Sequence, residues 1–290
     1  MYPASFEYHR PKNLKDALEL LRKTKDAKLL AGGHSLLPAM KLRVSSPAAL
    51  IDLGRVKGLQ GIKVGKSSIK IGALTSHTEV AESDEIRKNC PLLAETAAQI
   101  GDIQVRNRGT IGGSLAHADP AADYPTVVVA LEGEITATGP KNSRQISATE
   151  FFTGLFSTAL KSSEILTEVR VPASRKGEGG VYLKHRHPAS SYAVVGVAAI
   201  VALKNDHVKA ARLVVGGVHP TPLVIEKAAE LLTGEKPTGK RIAEAAASVA
   251  EAIVDPLGDL YASGEYRTHL ASVMARRALQ EAVARAQKKK

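Results

Sequence analysis

Two short segments, Ala31-Gly32-Gly33-His34-Ser35 and Thr110-Ile111-Gly112-Gly113-Ser114, constrain this chain more than anything else in it. Each sets a pair of adjacent glycines just ahead of a serine. Glycine lacks the Cβ that keeps a backbone away from a bound group, and a turn built on it presents N–H groups to an anion. One Gly-Gly pair also ends a helix or closes a hairpin. Two of them point to a diphosphate held between two turns. Neither segment has the Gly-x-Gly-x-x-Gly spacing of a dinucleotide fold, and no phosphate-loop lysine follows either one. A nicotinamide dinucleotide or a nucleoside triphosphate in a standard cradle is therefore disfavoured.

The remaining chemistry is sparse. Cys90 is the only cysteine among 290 residues, which excludes an internal disulfide framework, a cysteine zinc site and an iron–sulfur cluster held by this chain alone. It reads as an inert buried thiol. The nine histidines show no metal-ligand spacing, and His185 and His187 share a strand face in a structural role. No Gly-x-Ser-x-Gly elbow and no spaced carboxylate pair marks a hydrolase. The net charge of +11, from 40 basic and 29 acidic residues, raises nucleic-acid binding as a class. Only 4% of residues are aromatic and none is tryptophan, so stacking platforms are missing; an anionic cofactor or an acidic partner accounts for the charge instead. No apolar run reaches membrane-span length, and the first ten residues hold no signal-peptide core, so a cytoplasmic protein is expected.

Along the chain, Asn13 caps a helix with Leu14, Ala17, Leu18 and Leu21 on one face. Strands at Lys28–Leu30 and Ala49–Leu53 flank the first glycine segment and a brief helix over Leu36–Leu42. A hairpin over residues 61–72 follows, then a capping box at Ser76 and Glu79. A helix opened by Pro91 ends at Gly101, and a polar stretch to Gly109 leads into the second glycine turn. A buried helix over Thr126–Leu131 and strands at Glu134–Thr138 and Glu164–Val171 complete this part. The polar, glycine-rich run between Ala173 and Gly180 reads as a linker. Beyond it come strands at Val181–His185, Ala193–Leu203 and Val208–Val215, and helices from Leu223, from about Gly239 and from Glu265. Strands followed by helices make an α+β arrangement. The expected domains span residues 1–57, 58–174 and 175–290.

These residues meet a family. Ala31-Gly32-Gly33-His34-Ser35-Leu36-Leu37-Pro38, and Thr110-Ile111-Gly112-Gly113-Ser114 with Asp119 to Pro125 after it, resemble the medium, flavin-binding subunit of molybdenum hydroxylases, the group of the carbon monoxide dehydrogenase flavoprotein. Phe151-Phe152-x-Gly154, Glu164-Ile165-Leu166 and Val181-Tyr182-x-Lys184 extend the resemblance over essentially the whole chain.

The resemblance implies a fold like that of vanillyl-alcohol oxidase. Two α/β subdomains clamp FAD, and a C-terminal domain of antiparallel sheet and helices covers the flavin. It implies that Ala31, Gly32, Gly33, His34 and Ser35, with Thr110, Ile111, Gly112, Gly113 and Ser114, hold the diphosphate through backbone N–H groups and hydroxyls. Asp123 matches an aspartate near the sugar, with a helix N-cap as the competing role. Leu166 matches a residue whose backbone meets the isoalloxazine ring, and Lys184 a lysine at its pyrimidine end, where a cation favours the reduced flavin. Tyr192 stands where the family carries an aromatic near the flavin, or else in the core.

The resemblance also implies partners: an iron–sulfur small subunit and a molybdenum-cofactor large subunit, in a dimer of heterotrimers. The medium subunit then passes electrons and does not itself oxidise the organic substrate. A self-sufficient FAD-dependent oxidase or reductase of the same fold is the other reading, with His34 as a possible covalent attachment point.

Overall fold

The computed structural model describes residues 1–289. The chain begins with a small parallel sheet in the order Glu7–His9, Ala49–Asp52, Ala27–Leu30. All four residues of the central strand are buried. The connecting helix Leu14–Lys23 starts where the Asn13 side chain accepts from Asp16 N at 2.9 Å, which satisfies one of the free donors of its first turn. Ala17 and Leu18 pack its apolar face onto Ile51 and Leu53. Leu30 pairs with Asp52 at the end of the sheet, so the chain leaves this strand directly into the first glycine segment.

A five-stranded antiparallel sheet follows, in the order Ile62–Val64, Ser68–Gly72, Ile165–Pro172, Glu134–Thr138, Ser143–Ser147. Ile71, Val169 and Ile135 lie side by side across its three central strands and are fully buried. The core they enter is completed by the helices Pro91–Ala98 and Asp123–Ala130. Every residue of the second helix is buried, which explains its lack of a polar face.

The third sheet is an antiparallel meander of Glu178–Arg186, Ala193–Lys204, His207–Gly216 and Leu223–Val224. Asn205 and Asp206 make its tight turn, both at positive φ (50° and 65°), the geometry that matches strand twist in a two-residue hairpin. Tyr182, Ala198 and Val214 form one cross-strand row that joins the preceding core. Val181, Val197, Ala199 and Val215 face the other way, onto the helices Gly239–Ala252 and Gly264–Lys288. Both faces of this sheet are thus covered, so its central strand reads as a continuous apolar run.

Four local expectations change. The stretch between Gly101 and Gly109 is a helix, Ile103–Arg108, because the Asp102 carboxylate caps it by accepting from Val105 N at 2.8 Å. The second glycine segment is not a free turn but the first turn of a helix, Ile111–His117, with Thr110 as its N-cap. Leu223–Val224 extends the sheet, and the helix expected from Leu223 starts at Glu226. The strand expected from Val181 begins at Glu178, inside the expected linker.

Candidate functional site

The two glycine segments meet, and their glycines are required first by the chain itself. A Cβ on Gly32 would overlap the Arg108 carbonyl oxygen and lie 2.8 Å from Gly109 Cα. A Cβ on Gly112 would lie 2.7 Å from the Ala73 carbonyl oxygen. Gly33 has φ +79°, a conformation that other residues adopt only with strain. Backbone therefore touches backbone between the first segment and residues 108–109, which lead into the second, while a Cβ on Gly113 would lie 3.6 Å from Ala31 Cβ, so any group bound there sits against a fixed junction.

Their hydrogen-bonding states differ. In the second segment Ile111 N donates to Thr75 O at 3.1 Å, Gly112 N to Ala73 O at 2.9 Å, Gly113 N to Thr110 Oγ1 at 3.1 Å and Ser114 N to Thr110 O at 3.0 Å. Backbone contacts to a ligand were expected here, but these donors are already engaged, and the segment offers the Thr110 and Ser114 hydroxyls instead. In the first segment, no described residue accepts from the N–H groups of Gly32, Gly33, His34, Ser35 or Leu36. A run of backbone donors without protein acceptors, opening on a cavity, is a nest for an anion.

That cavity has a volume of about 690 Å³, within the usual range for cofactor sites. It gathers all the expected site residues except Ile111 and Lys184. Ile111 is fully buried in the core beneath it.

Lys184 stands one layer back. Its side chain is closed to solvent, and Nζ lies 2.9 Å from Asp123 Oδ2, while Tyr182 Oη donates to Asp123 Oδ1 at 2.6 Å. Residues 182 and 184 share a strand face, so alternation brings both to one carboxylate. Burial pushes the Asp123 carboxyl up, opposed by Lys184 and Tyr182. Burial likewise pushes the Lys184 amine down, opposed by Asp123. Asp123 is the first residue of its helix, after Ala122, and its carboxylate is taken by Tyr182 and Lys184 rather than by a cap.

Leu166 reaches the cavity wall just before a bulge between Leu166 and Glu168. The extra residue, Thr167, lends its carbonyl to Ala73 N at 3.0 Å, which ties this strand to the turn under Gly112. From the C-terminal sheet, residues 187–192 fold back in a closed turn in which His187 N donates to Tyr192 O at 2.8 Å. Tyr192 is thereby placed against Ser35 of the first glycine segment; burial raises its phenol pKa, and the contact with Ser35 opposes this.

Several wall residues carry no signal in the sequence. His117 and Phe156 meet with ring centroids 5.2 Å apart, and His77 lies under the junction of the glycine segments. His77 follows the Ser76 cap that the sequence does show, but its position depends on Gly109, which is remote in the chain.

Residues 4–174 match the family model described as FAD binding domain in molybdopterin dehydrogenase, and residues 181–282 the one described as CO dehydrogenase flavoprotein C-terminal domain. The chain is 42% identical to the carbon monoxide dehydrogenase medium chain of Hydrogenophaga pseudoflava, over 98% of this chain and 99% of that one. It is 35% identical to the glyceraldehyde dehydrogenase medium chain of Sulfolobus acidocaldarius, over 97% and 99%. A solved carbon monoxide dehydrogenase structure from H. pseudoflava superimposes with a TM-score of 0.95 at 41% identity, covering 98% of this chain and 99% of that one. No described helix is long and apolar enough to cross a membrane. The chain belongs to the FAD-binding medium subunits of molybdenum hydroxylases, and is an oxidoreductase subunit of that family.

Proposed function

We propose that this chain holds FAD in the cavity between its two glycine segments and relays electrons from the iron–sulfur clusters of a small subunit to an external acceptor. The working unit is a heterotrimer with a molybdenum-cofactor large subunit, paired into a dimer of heterotrimers. The observation that carries the reading is the run of unaccepted N–H groups from Gly32 to Leu36, opening on a cavity walled by residues of both family-model regions.

FAD, when bound, supplies a redox group that takes up and releases electrons. The chain supplies binding and orientation. The Gly32–Leu36 donors fit the diphosphate, and the Thr110 and Ser114 hydroxyls add contacts from the facing helix. Asp123, held by Tyr182 and Lys184, presents a fixed carboxylate suited to a sugar hydroxyl. Leu166 and Tyr192 form walls for the flat ring, Tyr192 being carried there by the 187–192 turn. The Lys184 charge acts on the site through Asp123.

The relatives' names differ in substrate, carbon monoxide in one and glyceraldehyde in another, while both medium chains match this chain over nearly its whole length. This supports placing substrate choice outside this chain. The test is stopped-flow mixing of the purified FAD-loaded chain with organic substrate, or with its reduced iron–sulfur partner. Rapid flavin bleaching is expected with the partner alone. Bleaching by substrate without a partner would overturn the proposal in favour of a self-sufficient flavoenzyme.

A further inference from the structure

His77 is an anomaly that the site described so far does not use. Only 5% of it is exposed, it lines the cavity, and its Nδ1 is buried without a hydrogen-bond partner among the described residues. An imidazole always carries at least one N–H, and a buried donor without an acceptor is costly. Its place is specific. A Cβ on Gly109 would lie 2.5 Å from His77 Nε2, and the same Gly109 backs onto Gly32, so the imidazole sits beneath the junction of the glycine segments. His77 N donates to Gly109 O at 2.9 Å, which fixes the residue there. On the far side its ring meets Tyr124 edge-on, with centroids 5.3 Å apart.

We propose that His77 is a further ligand of the cofactor: a ring N–H donates to the diphosphate, and the imidazole, neutral in the ligand-free chain, takes up one proton from solvent as that anion enters. This rests on the reading of the cavity as the FAD site. The described charged and titratable groups around the ring are His34 from the first glycine segment, Arg106 from the helix Ile103–Arg108 and Tyr124. Burial, with His34 and Arg106 adding to it, holds the imidazole down to about 4, so it is neutral at pH 7 without ligand. Arg106 is committed to the carbonyls of Ile100 and Gly101, at 3.0 and 3.2 Å. A doubly charged diphosphate beside the ring reverses the balance, because an adjacent anion favours the protonated form.

Calorimetric titration of the ligand-free full chain with FAD, at pH 7 in two buffers of different ionisation enthalpy, tests this. The unaltered chain should take up close to one more proton per FAD than either His77→Leu or His77→Gln. His77→Leu should lose about 10- to 100-fold in FAD affinity, the range of one charge-assisted hydrogen bond. Its ligand-free thermal stability should hold or rise, since an orphaned polar group has been replaced by an apolar one. A merely structural histidine would lose stability and affinity together. Histidine ¹⁵N spectra of the unaltered chain, with the signal assigned by its absence in His77→Gln, should show the ring moving to the protonated form on FAD binding. They decide the matter even where a variant folds poorly. Unchanged affinity in His77→Leu, or a ring that stays neutral with FAD bound, overturns the proposal. Failure of the unaltered chain to bind FAD overturns the site reading itself, and is seen before any variant is compared.

Discussion

Lys184 Nζ meets Asp123 Oδ2 at 2.9 Å with the lysine side chain wholly shielded from solvent and the aspartate only 5% exposed. A buried pair of this kind contributes little net stability while intact, but removing one partner strands the other charge. Lys184→Met should therefore destabilise the chain by about 3–5 kcal/mol at neutral pH. The pH dependence has a definite sign. Without Lys184 the Asp123 carboxyl, already raised by burial, rises further. A raised folded pKa favours the fold below the ordinary carboxylate value and loses that contribution as pH climbs through the folded value. The deficit of the variant should thus shrink toward pH 4, and Asp123→Asn in the same chain should recover most of it. Urea unfolding at several pH values measures both; a deficit independent of pH counts against the stranded carboxylate.

Gly32→Ala separates packing from ligand approach. The new Cβ collides with the Arg108 carbonyl, which is backbone and cannot swing aside. The two segments must part, so flavin should be lost from the purified protein along with about 1–3 kcal/mol of stability, the usual range for overpacking. Gly239→Ala is the control, because nothing lies within 4 Å of its Cβ position. Visible flavin spectra of the two proteins decide it, and equal occupancy would remove the junction from the account.

How much of this was legible in the sequence depends on the range over which each feature is determined. Asn13 with its helix and Ser76 with Glu79 are local patterns, and both capping arrangements are present as read. The second glycine segment reads as a turn because Gly112 and Gly113 are poor helix formers, yet a threonine cap and buried Ile111 and Leu115 carry the helix. The helix Ile103–Arg108 has no buried residue, so no hydrophobic period announces it. The retreat of Lys184 behind Asp123 follows from a contact between a strand and a remote helix. The spacing of Tyr182 and Lys184 on one strand face was visible, but the carboxylate opposite them was not.

Ligand-free stability should carry a signature of His77. Its imidazole titrates near 4 in the fold against 6.5 when unfolded. Between those values the unfolded chain binds more protons, so stability rises with pH and is lost as pH falls through the window. The full difference corresponds to about 3 kcal/mol. His77→Leu should flatten that part of the curve, as read by chemical unfolding between pH 4 and 7. An unchanged slope would show that the buried ring is not the group responsible.

Glu164 links the outer strand of the middle sheet to the cavity wall. Arg144 grips it with both Nε and Nη2 at 2.9 Å, and Nη2 also holds the Ala159 carbonyl at 2.6 Å. Lys161 N donates to Glu164 Oε2 at 2.9 Å, so the turn that leads into Ile165 and Leu166 is pinned from two sides. These contacts, the Arg144 hydrogen bonds first, hold the Glu164 carboxyl down to about 2. A depressed folded value stabilises the fold above the ordinary carboxylate value and loses that contribution as pH drops toward 2. Arg144 is 36% exposed, so solvent screening reduces its share, and Arg144→Leu should lower stability only modestly at pH 7 and progressively less in acid. Because Leu166 follows the pinned turn directly, the same variant should release FAD faster, by a few-fold, in a chase experiment with excess free flavin nucleotide. Loss of stability with an unaltered release rate would confine the Arg144–Glu164 pair to the scaffold and detach it from the wall at Leu166.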